Sequence, residues 1–116
     1  MAREISRLQD EIIKFRDKRN WKQFHNPKDV ALSLVLEAAE LMEHFQWKSW
    51  TEISAYLKDH KHEVAEELAD VLYWVLLMSR DLDIDIARAL LTKIKKNQSK
   101  YPIRKAKGRH TKYNKL

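Results

Sequence analysis

The sequence has no cysteine, one glycine (Gly108) and two prolines (Pro27 and Pro102). Without cysteine, disulfide frameworks, zinc–thiolate sites and thiol nucleophiles are excluded, and any metal must be held by oxygen or imidazole. So few turn residues argue against β architectures and favour long helices. No run of about 18 apolar residues occurs, so no segment is expected to span a membrane. The first ten residues mix charges with apolar side chains and carry no signal-peptide core. Together with the missing cysteine, this predicts a cytoplasmic protein.

A length of 116 residues predicts one domain, and 44% hydrophobic with 34% charged residues fits a globular chain with a charged surface. The net charge of +6 is unevenly placed. Residues 93–116 hold ten Lys or Arg and no acid, so residues 1–92 sum to −4. The division expected is a helical catalytic domain over 1–103 and a basic extension over 104–116. Such a segment suits an anionic partner, or simply a solvated tail.

Helical periodicity organises the rest. Ile5, Leu8, Ile12 and Phe15 form one apolar stripe and predict a helix over Ala2 to Lys18. An aromatic loop, Trp21 to His25, follows. Asn26-Pro27 reads as a helix start, with Asn26 as cap and Pro27 set for the first turn. That second helix, to about Trp47, is apolar nearly all round, as befits the middle of a bundle. A short helix from Thr51 to about Lys58, a long one from His60 to Arg80 and a last one to about Lys100 complete the prediction. The fold class expected is all-α, an antiparallel bundle of four main helices plus one short helix.

Acids interrupt the two apolar helices at matching intervals. Glu37 and Glu40 lie three apart, and so do Glu67 and Asp70. At this spacing both members of a pair project from one face. If the helices pack antiparallel, the four converge. Neighbouring buried carboxylates cannot all stay ionised unless a cation joins them. Mg²⁺, a hard ion that prefers oxygen ligands and keeps sites open for water or phosphate, fits that need. A lone acid on a helix ordinarily faces solvent or pairs with Lys or Arg; two such pairs in two apolar helices do not fit that reading. A carboxylate-bridged di-iron centre ordinarily uses Glu-x-x-His on its helices, which is absent here. His44, His60 and His62 read as surface or supporting residues.

At these residues the chain resembles the MazG-like, all-α nucleotide pyrophosphohydrolases, and within them the small dCTP pyrophosphatase branch. The matching stretches are Trp21-Lys22-Gln23-Phe24-His25, Glu37-Ala38-Ala39-Glu40-Leu41 through Phe45-Gln46-Trp47-Lys48, Glu66-Glu67-Leu68-Ala69-Asp70-Val71, and Lys93 through Asn97 to Tyr101-Pro102. The likeness spans roughly residues 4–105. It implies a homotetramer built as a dimer of dimers, with Mg²⁺ held by Glu37, Glu40, Glu67 and Asp70. It implies a base pocket made from Trp21, Lys22, Gln23, Phe24 and His25 with Trp47 and Trp74, the last at a position commonly Tyr. Lys93, Asn97 and Tyr101 would help hold the nucleotide. Two departures are Ile12, where some relatives place a pocket His, and Gln98, where some place an Arg.

The reaction implied is hydrolysis of a nucleoside triphosphate, dCTP or a modified form of it, to monophosphate and pyrophosphate. Its role would be to clear surplus or non-standard nucleotides. Lys93, with Lys96 or Lys100, would neutralise the phosphates, and Glu40 or Glu37 would serve as base. The competing reading is a nucleic-acid-binding helical module that uses the basic segment. Apart from Tyr101 and Tyr113 that segment lacks the aromatics of a single-strand platform, so a nucleic-acid partner is not expected. A helical adaptor without chemistry leaves the acids unexplained.

Overall fold

The structure, a computed structural model, describes residues 2–116, with side chains from residue 3 onward. It is all-helical: α1 (Ala2–Lys18), α2 (Pro27–Glu43), α3 (Trp50–Asp81), α4 (Ile86–Lys100) and the short α5 (Ile103–Ala106). Single 3₁₀ turns lie at Lys22–Phe24 and Tyr113–Lys115, and no strand occurs among the described residues.

Local chemistry sets the helix starts. The Asn26 side chain accepts from the Asp29 amide at 2.9 Å, and Pro27 occupies the first turn of α2. Asp85 caps α4 by accepting from the Arg88 amide at 3.1 Å. α3 opens with a capping box: Ser49 accepts from the Glu52 amide at 3.2 Å, and Glu52 accepts from the Ser49 amide at 3.0 Å. Ser49→Ala is therefore expected to destabilise the protein by about 1 kcal/mol, measurable as a lower midpoint in urea.

The structure corrects three expectations. α2 ends at Glu43 rather than near Trp47; residues 44–49 form the hairpin, and Trp47 adopts a left-handed φ of 68°. The predicted short helix at 51–58 and the long helix from His60 are one helix of 32 residues. The break expected between Lys58 and His60 has neither Gly nor Pro to enforce it. In the structure the helix runs straight through this polar stretch, where His60 Nδ1 lies 3.1 Å from the Tyr56 carbonyl. The short helix that does exist is α5. On α1, Phe15 of the expected apolar stripe is 43% exposed, while Arg16 is 2% exposed. The end of α3 accounts for this: Asp81 accepts from Arg16 Nη1 at 2.7 Å. Gln9 also turns inward, donating to the Leu76 carbonyl at 3.1 Å and to Ser79 Oγ at 2.9 Å.

α2 and α3 run antiparallel along each other. Their pairings ascend on one helix and descend on the other: His44 meets Tyr56, Glu37 meets Glu67, and Val30 lines the same cavity as Met78. α1 packs on the C-terminal third of α3. α4 and α5 project from this three-helix body. The radius of gyration, 17.7 Å, exceeds the roughly 13 Å of a compact domain of this length. Buried apolar side chains among the described residues are only Val30, Val64, Leu76 and Leu77. Leu32, Val35, Leu36 and Met42 of α2, Leu68 and Leu72 of α3, and Leu90, Leu91 and Ile94 of α4 all stand exposed.

Candidate active site

The antiparallel α2–α3 pair brings the two i, i+3 acid pairs together between its two ends. Carboxylate oxygens of Glu37, Glu67 and Asp70 lie within 4.8 Å of one another. Glu37 Oε2 and Glu67 Oε2 are buried without a hydrogen-bond partner. Glu40 stands outside this cluster but close to both glutamates. It helps to line an adjoining cavity of about 370 Å³ together with Glu43, His44, Tyr56 and Glu67.

The electrostatics follow from the crowding. Burial, then a hydrogen bond with Glu40 and repulsion from Asp70, pushes the Glu37 carboxyl up to about 7. Burial and the neighbouring Glu40 also raise Glu67. Without a cation, the folded protein keeps a proton here that the unfolded chain releases near pH 4.5. Metal-free stability should therefore fall as pH rises from about 5 to about 8, and level off above that. Thermal unfolding in the presence of a chelator measures this. Glu37→Gln should flatten the dependence; an equally flat profile in the parent would contradict the electrostatic reading.

The donor set fits a hard divalent cation. An octahedral Mg²⁺ with ligands at about 2.0–2.1 Å accepts oxygens spaced roughly 3–4 Å apart, and the cluster is already near that spacing. The two orphaned oxygens are what such an ion would satisfy.

The expected binding residues divide into three places. The loop Trp21 to His25 sits at the start of α2. There His25 meets Trp74 edge to face at 5.4 Å, and Trp21 meets Phe15 at 5.8 Å. Lys22 and His25 line a cavity of about 460 Å³ with Arg16, Asn26, Val30 and Asp81. Val30 lies two helical turns, about 10 Å, from Glu37. Burial and the Arg16 charge lower the His25 pKa, so its ring is neutral near pH 7. Gln23 donates to the Asn20 carbonyl and so serves the loop itself, and Phe24 is exposed. Trp47, 91% exposed, lies at the far end of α2, about 25 Å away. One chain therefore does not form a pocket from both ends. Lys93, Asn97 and Tyr101 lie on the projecting α4 and its cap, outside the carboxylate cluster and its cavity; the Asn97 carbonyl accepts the Tyr101 amide at 2.8 Å.

Arg16, Asp81 and Tyr56 were not legible as site neighbours. Arg16 sits beside the expected apolar stripe, and only tertiary packing reveals its burial.

The MazG-like family pattern matches residues 32–116, most of the chain. The chain belongs to the MazG-like family. It is 37% identical over 115 residues to dCTP pyrophosphatase 1 of Rattus norvegicus and 35% identical to that of Homo sapiens. Each alignment covers 97% of the chain and 66% of the relative's length. Among solved structures, a pyrophosphatase from Archaeoglobus fulgidus is 41% identical with a TM-score of 0.81, over 85% of this chain and 93% of that one.

Proposed function

We propose that this MazG-like protein is a Mg²⁺-dependent nucleoside triphosphate pyrophosphohydrolase with dCTP or a modified dCTP as substrate, working in nucleotide-pool clearing. The observation that carries the reading is the convergence of Glu37, Glu67 and Asp70 from two antiparallel helices, with two buried oxygens unpartnered. Its kinship to dCTP pyrophosphatases supports the substrate class.

In this reading Glu37, Glu67 and Asp70 hold the ion, which when bound neutralises phosphate charge and polarises the α-phosphate. Glu40, outside the oxygen cluster and on the cavity wall, takes the proton from the attacking water. The water oxygen bonds to the α-phosphorus, and the bond from that phosphorus to the bridging oxygen breaks. Pyrophosphate leaves with the bridging oxygen. With its phosphates at the carboxylates, a nucleotide lying along the α2–α3 pair would reach the Trp21–His25 loop and Trp74 with its base. There the rings stack on it and the neutral His25 offers a polar edge.

The exposed apolar residues of α2, α3 and α4 are best covered by further copies of the chain, as a dimer of dimers. Such packing would also bring Trp47 or the Lys93–Tyr101 stretch of one copy toward the carboxylates of another.

Steady-state turnover of each common nucleoside triphosphate, with and without Mg²⁺, tests the assignment. The expected result is Mg²⁺-dependent turnover highest for dCTP. In Glu40→Gln it should drop by about 100-fold or more with metal binding largely kept. Turnover unaffected by this change would remove Glu40 from the mechanism.

A further inference from the structure

Beside the carboxylate cluster, a second group of side chains crosses from the hairpin to α3. His44, the residue that caps the C-terminus of α2, is mostly buried, at 14% side-chain exposure. Its Nδ1 lies 2.5 Å from the Tyr56 hydroxyl, and its Nε2 points across the cavity to Glu67 Oε1 at 4.0 Å. Tyr56 is itself held in place. Its ring stacks on His60 with centroids 4.1 Å apart and planes 5° from parallel, and Lys48 Nζ sits 4.4 Å from the ring centroid.

The charge facing Nε2 selects the donor order. An ionised Glu67 oxygen, which can only accept, faces Nε2 and favours the tautomer with its proton there; Nδ1 is then the acceptor for the Tyr56 hydroxyl. Glu67 therefore has one oxygen turned toward a directed N–H donor. Its other oxygen, Oε2, is buried and unpartnered. A ligating carboxylate is commonly held in just this way, by an outer donor that fixes its rotation so that the remaining oxygen meets the ion.

The geometry points to His44, oriented by Tyr56, as a positioning residue that holds the Glu67 carboxylate for the divalent cation. The inference rests on the metal-site reading given above. The 4.0 Å gap closes by rotation of the carboxylate, so His44 tightens on Glu67 as Glu67 turns to its ion. His44 neither touches substrate nor replaces a ligand; its effect is on how well the site binds metal.

Isothermal titration of the metal-free protein with Mn²⁺ tests this without any turnover. Loss of an outer-shell partner typically weakens metal binding by about 10–100-fold, and His44→Leu should fall in that range. Tyr56→Phe, which removes only a hydroxyl, should weaken it in the same direction by less. His44→Gln, whose amide can still donate, should recover most of the affinity. Tyr56→Phe carries the test alone if His44→Leu fails to fold, as judged by circular dichroism. Mn²⁺ affinity equal to the parent's in both His44→Leu and Tyr56→Phe would overturn the proposal, even if KM for nucleotide rose, because His44 would then serve the substrate. No recovery in His44→Gln would overturn it too, since the ring would matter only as packing. Glu67→Gln separates the two readings: undiminished Mn²⁺ binding there refutes the metal site itself, whereas its loss beside an unaffected His44→Leu refutes only the positioning role.

Discussion

Glu67→Gln is expected to lower kcat/KM by on the order of 1000-fold, beyond the 10–100-fold typical of outer-shell losses, without unfolding the protein. The amide keeps the size of the carboxylate but removes a charged oxygen that the proposed ion would use, from a cluster only 4.8 Å across. Its effect on the metal-free fold should have the opposite sign. Burial and the nearby Glu40 raise the Glu67 pKa, so its ionised form is disfavoured. A neutral residue relieves that repulsion, and the variant should unfold at a higher temperature than the parent in chelator at pH 8. Mg²⁺ should then stabilise the parent and leave the variant nearly unchanged. Activity lost and metal-free stability gained, from one substitution, marks a site that stores repulsion for a cation. Loss of both together would mean that Glu67 serves the fold instead.

If the chain assembles as the proposed dimer of dimers, Leu36→Arg is expected to break it. Leu36 is 57% exposed and Val35 63% in the single chain. Covering such a side chain stabilises by about 1.5–3 kcal/mol, and an unpaired guanidinium placed there instead costs several kcal/mol. Light scattering should show a tetramer for the parent and a smaller species for the variant. Turnover should fall with it if, as proposed, the Lys93–Tyr101 stretch of one copy serves the carboxylates of another. A variant of unchanged mass would place the contact on another face.

What the sequence could reveal follows from which features are periodic. Glu37 with Glu40, and Glu67 with Asp70, are legible because a helix turns i, i+3 spacing into a shared face. That the pairs face each other was legible only as a condition, and the short hairpin after Glu43 supplies it. The unity of α3 was hidden because polar residues without Gly or Pro look alike on a solvated helix face and in a linker. The burial of Arg16 was hidden because its partner Asp81 is remote in sequence. The link from Tyr56 through His44 to Glu67 joins the hairpin to α3, and no single periodicity spans it. Nor does any pattern in α4 announce that it projects from the body. Its exposed Leu90, Leu91 and Ile94 have the spacing of an ordinary core stripe.

The most direct test of the central claim is the product pair formed from dCTP. Purified protein is incubated with Mg²⁺, and the products are separated by ion exchange. The expected products are dCMP and pyrophosphate in equal amounts, with neither formed in chelator. Deoxycytidine diphosphate with orthophosphate would contradict the proposed cleavage between the α- and β-phosphates, and undiminished turnover in chelator would contradict the role given to the carboxylates.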